Sequence, residues 1–234
     1  MLKFSIYRYN AEEPNNQASM QDYQIAKSTI NGNMLLDALI AIQENIDPSL
    51  AFRKSCREGV CGSDGMNVNG KNTLACIVPI SELEQNIIVI KPLSGMPIIR
   101  DLIVDFSDFL KQYEKIQPYL QNIESPPKKE RLQSIEDRAK LDGLYECVLC
   151  ACCSTACPIY LKDTNQFIGP AAMLQSARFI LDSRDSQSLE RIQQLDETQN
   201  LFKCKNILTC VDACPKGLDP NKAINAIHKK LLDD

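Results

Sequence analysis

The chain has 234 residues, 44% of them hydrophobic and 24% charged, with a formal net charge of −4 at pH 7; that is enough to bury one large core or two modest ones, and two domains are expected. Its lysines and arginines are scattered among acids, which argues against a nucleic-acid-binding footprint and leaves no nucleic acid among the expected partners. The longest apolar runs, MLLDALIAI and NIIVI, fall well short of the ~20 residues of a membrane-spanning helix.

The opening MLKFSIYRYN carries no charged segment leading into an apolar one, so no export signal is expected and any membrane association is expected to come through partners. In LKFSIYRY, Leu2, Phe4 and Ile6 alternate with Lys3 and Ser5 as in a half-buried strand, lapsing at Tyr7 and Arg8. NMLLDALIAIQENI places Leu35, Ala38, Leu39 and Ile42 at helical spacing, with Asn33 as the expected N-cap. MNVNGKNTLACIVPI carries the Asn69-Gly70 hairpin signal, and NIIVIKP reads as a strand ending at Pro92. A compact α+β unit the size of a plant-type ferredoxin is expected, with the glycine-rich SCREGVCGSDGMN between helix and hairpin. After about residue 105 the composition changes. DFSDFLKQYEKIQPYLQNI predicts a connecting helix broken near Pro118, and ESPPKKER a charged linker. Ala171, Leu174, Ala177 and Leu181, and later Ala223, Ile224, Ile227 and Leu231, mark helices, the last one opening on Asp219 and Pro220. The expected domains are therefore 1–105, α+β, and 106–234, mostly helical.

Eleven cysteines without a secretory signal point to metal or redox chemistry, since the cytosol keeps thiols reduced. They form three groups: Cys56, Cys61 and Cys76; Cys147 to Cys157; and Cys204, Cys210 and Cys214. The single histidine, His228, stands far from all of them and reads as a polar helix residue, so a zinc site built on histidine or a Cys/His hydrolase is poorly supplied.

Cys147, Cys150, Cys153 and Cys157-Pro158 make the Cys-x2-Cys-x2-Cys-x3-Cys-Pro run of two-cluster ferredoxins, in which the fourth cysteine ligates the other cluster. A second cysteine-proline, Cys214-Pro215, supplies the reciprocal ligand. Cys147, Cys150, Cys153 and Cys214 are assigned to a 4Fe-4S cluster. Cys157, Cys204 and Cys210 are left for its neighbour, and Ile207 occupies the remaining ligand position. An isoleucine offers no donor, so this site is expected to hold 3Fe-4S. Cys152 falls outside the register and is expected to be a small buried residue. Cys56, Cys61 and Cys76 match the plant-type 2Fe-2S spacing with Asp64 at the third ligand position. Asp64 is either a polar turn residue in a defective site or a carboxylate ligand; Gly59, Gly62 and Gly65, which let backbone wrap a cluster closely, favour the ligand. A structural zinc protein does not account for the two matching cysteine-proline endings, and a free-standing ferredoxin does not account for two ferredoxin types in one chain.

On SCREGVCGSDGMNVNGKN, YECVLCACCSTACP, FIGPAA, DSRD and CPKGLDP, essentially the whole chain resembles the iron-sulfur subunits of succinate dehydrogenase, the succinate:quinone oxidoreductase of respiratory complex II, including bacterial members with an aspartate ligand to the first cluster. The resemblance implies a β-grasp 2Fe-2S domain followed by an all-α bacterial-ferredoxin-like domain. It also implies a flavoprotein partner with covalent FAD, membrane anchor subunits that bind ubiquinone or another quinone, often with haem b, and a peripheral place on the cytoplasmic face of a bacterial inner membrane. The related fumarate reductase subunit, working in the opposite direction, is the alternative; its first loop normally has four cysteines, so Asp64 tilts toward the dehydrogenase. Pro158 and Ile207 match family residues near the quinone. Lys162 stands where many relatives have a tryptophan and Lys205 where a histidine is common. These lysines are either altered quinone donors or surface lysines facing lipid or an anchor carboxylate.

Overall fold

The structure, a computed structural model, describes residues 1–12, 17–83, 86–197 and 201–233. Two compact units emerge: Met1–Phe106 with Val148–Thr155, and Ser107–Cys147 with Ala156–Asp234.

The first unit is a five-stranded mixed sheet and one helix, a β-grasp arrangement. Strand β1 (Leu2–Arg8) buries Phe4 and Ile6 on one face and pairs along its whole length with antiparallel β2 (Ser19–Ile25). The polar SMQDYQI of β2 has no clean alternation, and only Tyr23 and Ile25 are buried. It is an edge strand, specified by its ladder to β1 more than by a buried face of its own. Helix α1 (Leu35–Asn45) buries Leu35, Leu36, Leu39 and Ile42. Its N-cap is Met34 and not Asn33, because the carboxylate of Asp37 reaches back to accept the Met34 N–H at 3.0 Å and serves that end from inside the first turn. Strands β3 (Gly65–Val68) and β4 (Lys71–Leu74) form a hairpin. Asn69 (φ 50) and Gly70 (φ 90) both take the left-handed backbone of its two-residue turn. β5 (Ile88–Lys91) then lies parallel to β1 and antiparallel to β3, giving the order β2-β1-β5-β3-β4. A small ribbon, β6 (Ile98–Arg100) and β7 (Ile103–Val104), follows. Its buried Asp101 accepts from Arg8 Nε at 3.0 Å and from the N–H groups of Tyr9 and Ala51, pinning the ribbon to the sheet.

The second unit is helical: α2 (Ser107–Lys115), α3 (Ile135–Ala139), α4 (Pro158–Lys162), α5 (Gly169–Ile180), α6 (Ser188–Glu197), α7 (Thr209–Asp212) and α8 (Pro220–Asp233). α5 is buried almost all round and packs against α2, α6 and α8. Met173, Leu174, Ala177, Ile192, Leu195, Ile224 and Ile227 share one hydrophobic cluster. α8 opens as expected, with the Asp219 carboxylate accepting the Lys222 N–H at 2.8 Å. α2 ends at Lys115, short of Pro118, and residues 116–134 contain no helix or strand. Arg191 of α6 holds the start of that stretch by donating to the carbonyls of Ile116, Gln117 and Tyr119 at 2.7–3.0 Å. Among the described residues, no helix is long and apolar enough to cross a membrane.

Candidate metal centres

The first cysteine loop is shaped by the hairpin that follows it. Pairing of Gly65 with Leu74 brings Asp64 beside the turn that carries Cys76. There the Cys76 N–H donates to Asp64 Oδ2 at 2.6 Å and the Ala75 N–H to the Asp64 carbonyl at 3.2 Å. Around the loop, backbone N–H groups converge on sulfur. Val60 and Cys61 each donate to Cys56 Sγ at 3.3 Å, Glu58 at 3.5 Å, and Gly59 to Cys76 Sγ at 3.2 Å. Such donors stabilise thiolate, the form that binds iron.

Gly62 (φ +69) cannot be replaced freely, since a Cβ there would stand 2.6 Å from the Val148 carbonyl. Its bare backbone lets the loop lie against the segment 148–155 of the same unit. Asp64 is 2% exposed, and its Oδ1 is buried with no hydrogen-bond partner. One carboxylate oxygen is thus spent on the Cys76 backbone and the other is left to face something that accepts a donor atom. This geometry fits a fourth ligand to a cluster held by Cys56, Cys61 and Cys76.

The thiols differ in protonation. Burial pushes the Cys76 thiol up to about 12, with the Asp64 carboxylate adding to the effect. Burial acts in the same direction on Cys61, but hydrogen bonds from Ser63 and around Cys56 outweigh it and bring that thiol to about 7.

Val148–Thr155 is a tight turn whose non-glycine residues Leu149 and Ala151 have φ of 54 and 63. Cys150, Cys152 and Cys153 are all buried there, Cys152 fully. A hydrogen bond from Cys152 lowers the Cys150 thiol. The turn is fastened from β4 by Asn72, whose side-chain amide donates to the Cys152 carbonyl at 3.2 Å and to the Thr155 hydroxyl at 2.9 Å. No spacing rule singles out Asn72 in the sequence; only the hairpin register places it here.

In the second unit, Cys147, Cys157, Cys204 and Cys214 pack, partly buried, on the hydrophobic cluster. Cys157, Cys204 and Cys210 line one cavity together with Lys205 and Ile207. Pro158 and Lys162, at the two ends of α4, are exposed and are not among the residues lining it. Ile207 is 51% exposed and sits between Asn206 and Leu208, both at positive φ. Burial, together with the neighbouring Cys157 and Cys204 thiols, raises Cys210 to about 11. His228 belongs to no centre: its Nε2 lies 2.8 Å from the Leu201 carbonyl and its ring stacks on Phe202.

Among the described residues, no three of the His, Cys, Asp and Glu side chains converge closely enough to hold a single metal ion. In an iron-sulfur cluster the protein ligands are divided among several irons and do not converge on one ion.

Comparison with known proteins agrees with this chemistry. A family model of the 2Fe-2S iron-sulfur cluster binding domain matches residues 3–111, and one of the 4Fe-4S dicluster domain matches residues 143–218. The succinate dehydrogenase iron-sulfur subunit of Coxiella burnetii is 52% identical over 233 residues, covering 100% of this chain and 98% of the relative. The mitochondrial succinate dehydrogenase (ubiquinone) iron-sulfur subunit of Candida glabrata is 46% identical over 232 residues, 99% of this chain and 91% of that one. Among solved structures, a chain of the Mycobacterium smegmatis Sdh1 complex in the apo form shares the fold, with a TM-score of 0.82 over 99% of this chain and 95% of that chain at 23% identity.

Proposed function

The chain belongs to the succinate dehydrogenase iron-sulfur subunit family, an electron-transfer subunit with a 2Fe-2S and a 4Fe-4S ferredoxin domain, and from that premise we propose how its own residues divide the work. The domains proposed are 1–105 and 106–234, the second lending its segment 148–155 to the first compact unit. Cys56, Cys61, Asp64 and Cys76 hold 2Fe-2S; Cys147, Cys150, Cys153 and Cys214 hold 4Fe-4S; Cys157, Cys204 and Cys210 hold 3Fe-4S. When bound, the clusters supply one-electron carriers between the covalent FAD of a flavoprotein subunit and a quinone at the membrane anchor. The chain itself contributes ligands, N–H donors to sulfur and burial, the factors that set cluster potentials. The subunit sits on the cytoplasmic face of a bacterial inner membrane through anchor subunits, which carry ubiquinone or another quinone and, in some complexes, haem b. Pro158, Ile207, Lys162 and Lys205 are assigned to the quinone side. The relatives favour the dehydrogenase over fumarate reductase.

The observation that carries this reading is the cavity in which Cys157, Cys204 and Cys210 meet around Ile207 and, among the described residues, no fourth thiol. EPR-monitored redox titration of the membrane-bound complex tests it, with three distinct signals expected, one of them the oxidised 3Fe-4S type. Two 4Fe-4S signals and no 3Fe-4S signal in an anaerobic preparation would overturn it. The isolated subunit should not oxidise succinate, because it carries no nucleotide-binding fingerprint. Turnover by flavin-free subunit alone would contradict the assignment.

The role of Asp64 has its own test. Asp64→Cys should keep a 2Fe-2S signal with altered line shape, since a fourth thiolate completes the set. Asp64→Ala should weaken that signal and cost about 1.5–3 kcal/mol of holo-protein stability, the charged bond to the Cys76 N–H being lost. An Ala variant with unchanged spectrum and potential reduces Asp64 to a turn residue.

A further inference from the structure

Four buried side-chain atoms among the described residues lack a hydrogen-bond partner: Asp64 Oδ1, Arg100 Nε, Glu146 Oε2 and Ser154 Oγ. Three of the four stand on or beside a proposed ligand, Asp64 being one, Glu146 preceding Cys147 and Ser154 following Cys153. Ser154 is the strictest case, with 0% of its surface exposed. The groups around it are provided for. The Thr155 hydroxyl donates to the Ala151 carbonyl at 2.9 Å and accepts from Asn72, which also serves the Cys152 carbonyl. A fully buried hydroxyl with no partner is rare in native proteins and calls for a specific acceptor.

Ser154 shares its turn with Cys150 and Cys153 in the first unit. A cluster on those thiolates brings sulfide and thiolate sulfurs, which accept hydrogen bonds and donate none. We propose that the Ser154 hydroxyl donates to a sulfur of the 4Fe-4S cluster held by Cys150 and Cys153, and thereby raises that cluster's reduction potential. The inference rests on the ligand set proposed above. The sign follows from charge: reduction adds one electron, its density spreads over the sulfurs, and a donor aimed at one of them stabilises the reduced form more than the oxidised form.

The test uses the whole complex. In Ser154→Ala the equilibrium constant for one-electron reduction of the 4Fe-4S cluster should fall about tenfold, which is about 59 mV toward lower potential. Ser154→Thr keeps a hydroxyl and should stay close to wild type, while the other two midpoints stay where they were in both variants. A 4Fe-4S signal with an unchanged midpoint in Ser154→Ala overturns the proposal and leaves the ligand set intact. Absence of any 4Fe-4S signal from the wild-type complex overturns the ligand set itself. If Ser154→Ala does not assemble, a high-resolution crystal structure of the wild-type complex decides: Ser154 Oγ within hydrogen-bond reach of a cluster sulfur supports the assignment, and Oγ bonded to water or to protein instead refutes it.

Discussion

Replacing Ile207 by cysteine should convert the proposed 3Fe-4S centre into a 4Fe-4S one and cut the proposed quinone reduction sharply. Three thiols line the cavity with Ile207, and its aliphatic side chain offers iron nothing. A thiolate at that position supplies a fourth donor at the ligand spacing of the Cys204 to Cys210 segment. The oxidised 3Fe-4S EPR signal should vanish and the centre's potential should drop by more than about 59 mV, at least a tenfold change in where the electron rests. Succinate oxidation by an artificial acceptor that draws electrons at the flavin should be largely kept, because that path does not reach this cavity. Persistence of the 3Fe-4S signal in Ile207→Cys means that residue 207 does not stand at the open corner.

Arg191→Ala is expected to be the most destabilising single change in the helical unit. The Arg191 and Asp185 side chains are 5% and 0% exposed and meet at 2.8 Å. Arg191 also satisfies three carbonyls of the stretch after α2, and its guanidinium lies 5.1 Å from the Phe179 ring centroid. Asp185 in turn accepts the N–H groups of Gln121 and Gln187 at 2.9 Å. Truncating the arginine leaves a buried carboxylate and orphaned carbonyls, a loss of about 3–5 kcal/mol. Urea unfolding of the chain should show it as a lower midpoint. Arg191→Lys should recover only part, since an ammonium cannot span three carbonyls and a carboxylate at once. A midpoint within experimental error of wild type for Arg191→Ala would show that residues 116–121 do not depend on this hub.

Chemistry was easier to read from the sequence than architecture was. Cysteine spacing points to the 2Fe-2S and 4Fe-4S domain types because a cluster imposes its own dimensions on short loops, and the Asn69-Gly70 turn and the stripes of α5 and α8 announce themselves by backbone preference and period. β2 gives no signal in the sequence because its polar SMQDYQI is held mainly by hydrogen bonds to β1. Helices α4 and α7, of five and four residues, are too short to show a period. The cap lies one residue beyond the expected Asn33 because Asp37 does the capping from the other direction. Arg191 looks like any arginine in a polar stretch and Ser154 like a filler among the cysteines; what sets them apart is burial, which depends on distant parts of the chain. Likewise the lysines at 162 and 205 read as a pair, yet only Lys205 lines the cavity of the three thiols.

The return of Val148–Thr155 to the first unit bears on how the polypeptide is made. A ribosome has delivered everything up to Phe106 well before it reaches Val148, and at about 5–20 residues per second several seconds pass in between. During that interval Gly62 has no Val148 carbonyl to lie against and the Asn72 amide lacks both of its partners. The nascent amino-terminal half therefore waits, its cysteine loop uncovered, until the turn that closes it emerges.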